Sequence, residues 1–326
     1  MLFSACDNKR WEQDVTGIDY EPELKRFELD FFEKGKEGID KTKMDEIEKE
    51  YPSLLPLYLN GVLNFGSYRD NGIFPSLNEF ISNKDIQQVF NDVKSAYPDG
   101  SLAIEKAEIE KALKLFKYYF PRSELPKLYT LMSMFSYNVV VDQKVLAVSL
   151  DMYLGGDYKY YPSTSIPKYR FKNFEQEFIV SDAIKAFLIS EFDREAGMNL
   201  LEQMIFYGKI AYMQQALLPE FEDRLFFNYD EAEFEWCDKN ESEIWFHLVD
   251  MELLYTTESE KVRKYIDDAP FIPGFPEGST AKVGKWLGFQ IVKSFMNNNK
   301  EVGLTDLMAN QDANKILLKS KYKPKR

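Results

Sequence analysis

Histidine is almost absent from this chain, and its scarcity excludes several kinds of chemistry. The 326 residues contain one histidine, His247, whereas a catalytic zinc ion normally needs two or three imidazole ligands. Serine and thiol hydrolases would each need that same side chain to activate a nucleophile. Because His247 lies in the apolar stretch WFHL, we expect a hydrogen-bonded core residue, no standard zinc site and no cofactor.

Cysteine and long apolar runs are also scarce. Cys6 and Cys237 are the two cysteines, and if Cys6 carries a modification, Cys237 has no partner for an intrachain disulfide. Beside Trp236, Cys237 is expected to be buried and inert. No stretch approaches the roughly 18 to 20 apolar residues that span a bilayer, so we expect any membrane attachment to come through a lipid.

Basic residues are outnumbered along most of the chain. A formal net charge of −13 and a pI near 4.8 argue against a nucleic-acid partner, because phosphate binding requires a basic patch that releases counterions. The exception begins at Lys315, where the tail KILLKSKYKPKR carries six positive charges and no carboxylate. This tail is either a solvated terminus or a docking strip for an acidic partner or anionic lipid headgroups, and the sequence leaves both interpretations open.

A short motif near the start points to a cellular compartment. The run LFSAC at residues 2–6 resembles a bacterial lipobox, in which a signal peptidase cuts before the cysteine and the thiol receives a diacylglycerol. Phe3 stands where leucine is usual, and no charged segment or full apolar segment precedes it. We expect residues 1–21 to be a truncated lipoprotein signal and tether that holds the protein to a membrane through Cys6. An incidental N-terminal cysteine is the alternative interpretation.

The patterning of residues 22–326 predicts a single, mainly helical domain of the α+β class. Weakly alternating apolar residues predict a strand within residues 23–32, and the charged run at residues 41–50 predicts an exposed helix. Short helices separated by Gly, Pro, Asn and Asp breakers make up a helical first part, residues 40–120.

The middle of the chain is rich in β-branched and aromatic residues. These residues predict a small central antiparallel or mixed sheet within residues 127–155. Helical patterning then covers residues 174–320, including one helix over about 198–216 and one over about 230–256. The sequence therefore predicts helices, a small sheet and a helical C-terminal half.

The order of helices, small sheet and long helix is typical of zincin metallopeptidases, whose His-Glu-x-x-His motif lies on that long helix. The corresponding helix here begins LLEQMIFY at Leu200. If Glu202 and Gln203 occupy the first two motif places, Phe206 falls on the second histidine. Gln203 could not replace a general base, because an amide has no titratable proton near neutral pH. We therefore predict a zincin-like scaffold with degenerate motif positions at Glu202, Gln203 and Phe206 and no catalytic residue.

Tyrosines are concentrated around the Gly155-Gly156 turn that follows the predicted sheet. The five that could line a groove for a peptide or glycan are Tyr153, Tyr158, Tyr160, Tyr161 and Tyr169. The same rings could instead anchor the loop, with buried bodies and solvated hydroxyl groups. Inward packing of the rings would exclude the groove.

Three longer stretches are more specific than these short motifs. They read SLDMYLGGD from Ser149, LLEQMIFYGK from Leu200 and GKWLGFQIVKS from Gly284. Together they resemble GldB, the gliding-motility lipoprotein family of the Bacteroidetes, from about Phe27 to the lysine-rich tail. The family is similar to zincin-type peptidases but lacks their histidines, and the chain shares that loss.

The resemblance implies a lipoprotein of the cell envelope, exposed on the periplasmic side and needed for gliding in a system tied to type IX secretion. It implies an envelope protein of the motility or secretion machinery as a partner, but no molecular activity. We therefore expect a non-catalytic, lipid-anchored protein that acts by protein–protein interaction. Two alternatives remain open: a divergent metallopeptidase or cell-wall hydrolase with carboxylate-based chemistry, and a peptide- or glycan-binding module.

Overall fold

A computed structural model of the chain describes residues 8–192, 197–272, 275 and 278–325. Contacts between these residues define two units. The sheet unit comprises residues 18–113 and 122–186. The helical unit comprises the described parts of residues 1–17, 114–121 and 187–326.

The predicted lipobox cysteine, Cys6, lies outside the described residues, so its lipid attachment stays a prediction. The single domain predicted over residues 22–326 likewise stays a prediction. In the part of the chain that the structure describes, no helix is both long enough and apolar enough to cross a bilayer.

The sheet unit contains one mixed sheet. Its strands are β1 (Leu24–Arg26), β2 (Lys127–Leu131), β3 (Val139–Asp142) and β4 (Val145–Ser149). They are ordered β1-β2-β4-β3, with β2 parallel to both β1 and β4, and β3 antiparallel to β4. Every residue of β4 is buried, as expected for a central strand covered on both faces. The small central sheet and the mainly helical α+β class are confirmed.

Helices cover much of the rest of the sheet unit. They are α1 (Phe27–Gly35), α2 (Lys41–Glu50), α3 (Leu54–Leu57), a π-helix at Tyr58–Val62, α4 (Phe74–Ser82) and α5 (Lys84–Ala96). Two further helices, α6 (Ala103–Tyr119) and α7 (Ile179–Phe192), contribute residues to both units. Asn83 begins α5 by accepting hydrogen bonds from the N–H groups of Asp85 and Ile86.

The strand predicted within residues 23–32 is correct only at Leu24–Arg26, because α1 begins at Phe27. Phe27 and Phe31 are four residues apart, and both rings meet the buried Tyr58 ring edge to face. The apolar residues that look like strand alternation in the sequence therefore lie on one face of a helix. The sheet predicted within residues 127–155 likewise ends earlier, at Ser149, where a 3₁₀ turn follows.

The helical unit is built around two long helices that cross at glycine. Its helices are α8 (Leu200–Leu217), α9 (Glu231–Lys239), α10 (Glu241–Asp250), α11 (Ser259–Ile266), α12 (Val283–Asn298), α13 (Leu304–Ala309) and α14 (Ala313–Ser320). A Cβ on Gly288 of α12 would collide with the Met204 carbonyl oxygen of α8, and a Cβ on Gly208 would collide with the Gly288 backbone. Glycine at these positions therefore allows the two helix backbones to touch.

Two details of the helical unit differ from the sequence-based expectation. The helix predicted over 230–256 is two helices, because Asn240 leaves helical geometry between α9 and α10. The segment predicted as a tether is docked where the structure describes it. Trp11 is buried and donates from Nε1 to the Tyr212 hydroxyl at 3.1 Å, while Arg10 donates to three backbone carbonyls.

Candidate functional site

The long helix that carries the degenerate motif positions begins with a capping box. The Asn199 side chain accepts a hydrogen bond from the Glu202 N–H at 2.9 Å. Glu202 Oε2 in turn accepts from the N–H groups of Met198 and Asn199, at 2.8 and 3.1 Å. The Glu202 carboxylate therefore satisfies backbone donors at the start of α8 that have no partner within the helix.

The other two motif positions also have local roles in α8. Gln203 donates its backbone N–H to the Asn199 carbonyl within the first helical turn. Phe206 is buried, and its ring meets the Tyr207 ring edge to face at 5.2 Å between centroids. Of the two places where a metallopeptidase would present imidazoles, one thus holds a helix-capping carboxylate and the other a buried phenyl ring. The zincin-like scaffold stays a prediction.

The two residues that could supply nucleophile chemistry both have structural partners, although His247 is half-buried and lines a surface pocket of about 340 Å³ with Phe246, Val249 and Asp250. His247 Nε2 lies 2.9 Å from the Tyr265 hydroxyl, and burial lowers the pKa of His247, which favours the neutral ring. Cys237 is buried, and that burial raises its thiol pKa, which disfavours the reactive thiolate. Among the described residues, no three His, Cys, Asp or Glu side chains form a group that could hold a metal ion.

A polar cleft lies where the sequence placed the tyrosine-rich loop, within the sheet unit. Its volume is about 470 Å³. We call it the tyrosine cleft, and it is lined by Asp92, Leu154, Gly155, Gly156, Asp157, Tyr158, Lys159 and Glu175. Three carboxylates and one ammonium group therefore surround one aromatic ring.

Two consecutive glycines shape the floor of the tyrosine cleft. Gly155 has a φ of +91°, a left-handed conformation that glycine adopts without the steric cost of a side chain. Gly156 donates its N–H to Glu175 Oε1 at 2.7 Å, and a Cβ there would lie 3.0 Å from the Phe171 carbonyl oxygen. The turn is therefore pressed against the segment that carries Glu175, which fixes that carboxylate at the rim.

Asp92 organises the opposite wall of the tyrosine cleft. The Tyr158 hydroxyl donates to Asp92 Oδ2 at 2.9 Å, and Lys159 Nζ forms an ion pair with the same oxygen at 3.0 Å. Burial opposes ionisation, but hydrogen bonds from Lys159, Gln88 and Tyr158 hold the pKa of Asp92 below its ordinary value. Asp92 is therefore a stable anion that orients the ring and the ammonium group.

The structure does not bring all five predicted groove tyrosines to the surface. Tyr153 and Tyr161 are buried, with the Tyr153 hydroxyl donating to Asp182 and the Tyr161 hydroxyl donating to the Asp151 carbonyl. These two rings are core residues and cannot form a groove wall. Tyr158, Tyr160 and Tyr169 are half-buried, and of these Tyr158 lines the cleft.

Beneath the tyrosine loop lies a fully buried carboxylate, Asp151. Its two oxygens accept hydrogen bonds from the N–H groups of Ser133 and Phe135, at 2.9 and 2.7 Å. Met134 and Phe135 both have positive φ, so the carboxylate holds a strained turn in place. Burial raises the pKa of Asp151 to about 6, although the two N–H donors act against this rise.

A second buried carboxylate, Glu28, lies in the same unit. Arg26 Nε and the Thr130 hydroxyl each donate to it at 2.6 Å. Burial raises the pKa of Glu28 even though Arg26 and Thr130 favour its charged form. Both buried acids are thus occupied by structural partners, whereas the carboxylates of the tyrosine cleft face solvent at Asp157 and Glu175.

The tyrosine cleft combines three carboxylates and an ammonium group with one aromatic ring. No histidine, cysteine or serine is among the described residues that line it. Its rim can accept hydrogen bonds and attract a cationic or hydroxyl-rich ligand, while the Tyr158 ring offers a flat apolar face. Sequence reasoning missed Asp92, since it lies on α5 far from the loop along the chain and no local pattern marks it.

Comparison with protein families gives one match over nearly the whole chain. Residues 8–324 match the family described as gliding motility protein GldB. No curated protein matched the chain. No solved structure matched it either. The family is one of lipoproteins, which suggests a membrane-anchored envelope protein. With the match covering all but the first seven and last two residues, the chain belongs to the GldB family of gliding motility proteins.

Proposed function

We propose that the chain is a non-catalytic, lipid-anchored envelope protein that supports gliding by binding a protein of the motility or secretion machinery on the periplasmic side. The observation that supports this proposal is the role of Glu202 in the capping box at the start of α8. In the zincin-motif register Glu202 stands at the place of the first zinc-binding histidine, but here its carboxylate accepts two backbone hydrogen bonds at a helix start. The protein is therefore expected to bind rather than to cut.

The partnership is tested by recovery of bound proteins from envelope fractions. A tagged wild-type protein is expected to retain motility or secretion components, whereas Cys6→Ala, which removes the predicted lipid attachment, is expected to lose them. Ser4→Ala keeps the thiol and serves as the matched control. Equal recovery with Cys6→Ala would contradict the role of the anchor, and recovery of no envelope protein would contradict the partnership.

The enzymatic alternative is tested on the purified soluble protein. We expect no cleavage of peptides or cell-wall material and no stoichiometric zinc. Glu202→Gln is the informative variant, because an amide oxygen can still accept the capping hydrogen bonds but cannot act as a base. An activity that is present in the wild type and lost in a folded Glu202→Gln protein would overturn the non-catalytic proposal.

A second candidate function is supported by the tyrosine cleft, whose exposed carboxylates and Tyr158 ring suit a short cationic peptide or a glycan. Titration of basic peptides and cell-wall glycans is expected to show binding that Tyr158→Ala weakens. Tyr137→Ala is the control, because Tyr137 is an exposed tyrosine of the same unit that does not line the cleft. Equal loss in both variants, or no binding at all, would remove this candidate.

A further inference from the structure

The lysine-rich C-terminal segment is folded onto the helical unit and does not project as a free tail. Tyr322 donates its hydroxyl to Glu241 at 2.6 Å and meets the Trp245 ring edge to face. The Ser242 hydroxyl donates to the Lys325 carbonyl, and Lys325 Nζ pairs with Asp238 at 2.6 Å. The segment therefore presents a defined surface.

Four lysines of this segment face solvent together. We call them the lysine strip, and they are Lys315, Lys319, Lys321 and Lys323. None of their ammonium groups forms an ion pair with a residue that the structure describes. No carboxylate occurs from residue 313 to the end of the chain, although the whole protein has a net charge of −13. The strip is thus an unneutralised positive patch on an acidic protein.

The outward face of α14 adds an apolar side chain to the lysine strip. Ala313, Ile316 and Ser320 are buried and turn one face of α14 toward α12. Lys315, Leu318 and Lys319 lie on the opposite face, and Leu318 is 80% exposed. A solvent-exposed leucine flanked by lysines is the pattern of a surface that enters the headgroup region of a bilayer.

The lysine strip is close to the point where the N-terminal segment joins the fold. Arg10 donates to the carbonyls of Met296, Lys300 and Val302 at the end of α12. At that same end, the Asn299 side chain donates to the Lys319 carbonyl at 3.2 Å and the Asn298 side chain donates to the Ser320 carbonyl at 2.8 Å. Both segments are therefore attached to the same end of one helix.

We propose that the lysine strip docks on an anionic lipid surface and holds the helical unit against the membrane. The orientation rests on the proposed lipid anchor, since Cys6 precedes Arg10 by only four residues in the sequence. Lipid headgroups suit the strip better than an acidic protein does. Lysines are flexible point charges without the bidentate fork that arginine uses to recognise individual carboxylates, and the exposed leucine would gain an apolar environment.

Vesicle flotation with a Cys6→Ala protein tests the strip separately from the anchor, because this variant carries no lipid. We expect binding to vesicles of equal parts phosphatidylcholine and phosphatidylglycerol, none to phosphatidylcholine alone, and weaker binding at high salt. Each surface lysine is worth about fivefold in binding, so changing all four strip lysines to Gln is expected to weaken binding at least about a hundredfold. Leu318→Ser is expected to weaken it severalfold.

The matched control changes four exposed lysines of the sheet unit to Gln and alters the net charge equally. These are Lys41, Lys49, Lys84 and Lys111. Vesicle binding that the control retains and the strip variant loses would support the proposal. Absence of binding by the intact strip, or equal loss in the control, would overturn it and leave an acidic protein as the strip's partner. Failure of Cys6 lipidation in cells would overturn the anchor without changing these results.

Discussion

The helical unit and the sheet unit are held together in different ways. In the helical unit the main contact is close packing of two helices. Gly208 and Gly288 have no side chains, so the backbones of α8 and α12 can touch. In the sheet unit an apolar core also encloses two carboxylates, Glu28 and Asp151, which are fully buried among hydrogen-bond donors. Shape-based packing is insensitive to pH, whereas buried carboxylates couple stability to protonation.

This difference also separates the two candidate surfaces. The tyrosine cleft belongs to the sheet unit, where Asp151 and the glycine turn hold the loop in one conformation. The lysine strip belongs to the helical unit, where hydrogen bonds from the end of α12 fix the C-terminal helix α14. Each surface can therefore be changed without removing the contacts that stabilise the other unit.

The largest expected effect is at the helix crossing. Gly288→Ala would place a methyl group inside the van der Waals contact distance of the Met204 carbonyl, so α8 and α12 must separate. We expect the free energy of unfolding to fall by about 3 kcal/mol, as for other severe overpacking. Urea denaturation measures this loss. Gly17→Ala is the control, because no atom lies within 4 Å of a Cβ there. An equal loss of stability in the two variants would contradict the importance of close backbone packing at Gly288.

The next effect is the pH dependence of stability that Asp151 introduces. Burial raises its pKa from the ordinary 3.8 to about 6 in the folded protein, so the folded state binds the proton more tightly than the unfolded chain does. The stability that protonated Asp151 contributes is fully present below about pH 4 and is lost as the pH rises through about 6. The difference of about two pKa units corresponds to about 3 kcal/mol, and burial of Glu28 acts in the same direction.

Urea denaturation at several pH values between about 4 and 8 measures this dependence. Asp151→Asn is expected to flatten the decline, because an amide does not titrate. Asp19→Asn changes an exposed carboxylate of the same unit and is expected to leave the slope as it is. A wild-type stability that rises across this range, or an unchanged slope in Asp151→Asn, would show that the sheet unit does not depend on a protonated buried acid.

A smaller effect is expected in the tyrosine loop, where two substitutions compare how much each hydroxyl group stabilises the fold. The Tyr161 hydroxyl accepts from the Leu154 N–H at 3.1 Å and donates to the Asp151 carbonyl at 2.9 Å. Tyr161→Phe leaves both buried groups without that partner and is expected to cost about 2 kcal/mol. Tyr158→Phe loses one half-exposed hydrogen bond and is expected to cost about 0.5 kcal/mol. Thermal and urea unfolding compare the two, and equal costs would contradict this ranking.

The smallest expected effect is at the start of α8. Glu202→Ala removes the acceptor for two backbone N–H groups and is expected to cost about 1 kcal/mol, typical of a lost helix cap. Glu202→Gln keeps an acceptor and is expected to cost only a few tenths. Urea denaturation of both variants provides the measurement. A larger loss in Glu202→Gln than in Glu202→Ala would show that the carboxylate has a role other than capping.

Much of the helical framework could be predicted because it follows local rules. The exposed helix at residues 41–50 is observed with those bounds. The helical first part predicted over residues 40–120 ends with α6 at Tyr119, just before Pro121, which has no N–H to continue a helix. The strand prediction failed at Phe27 because contacts with distant residues, not local rules, decide the structure there. A short apolar pattern suits a strand or a helix equally, and the choice depends on packing against Tyr58, which lies far along the chain.

The candidate sites could be predicted only in part for the same reason. The tyrosine-rich loop is visible in the sequence, but a tyrosine that faces inward looks the same there as one that faces solvent. Tyr161 is buried and Tyr158 lines the cleft, although they are three residues apart. Asp92 lines the same cleft but lies on α5. No sequence pattern near Asp92 indicates that contact.

By itself the sequence determined the mainly helical class and the family. One histidine limits zinc and nucleophile chemistry whatever the fold, and periodic apolar residues identify helices because the helical repeat is a local property. Only the tertiary structure decided that Glu202 caps a helix, that Asp151 is buried and that the lysine strip lies beside the N-terminal segment. Those outcomes depend on contacts between residues distant in sequence, which composition and periodicity do not encode.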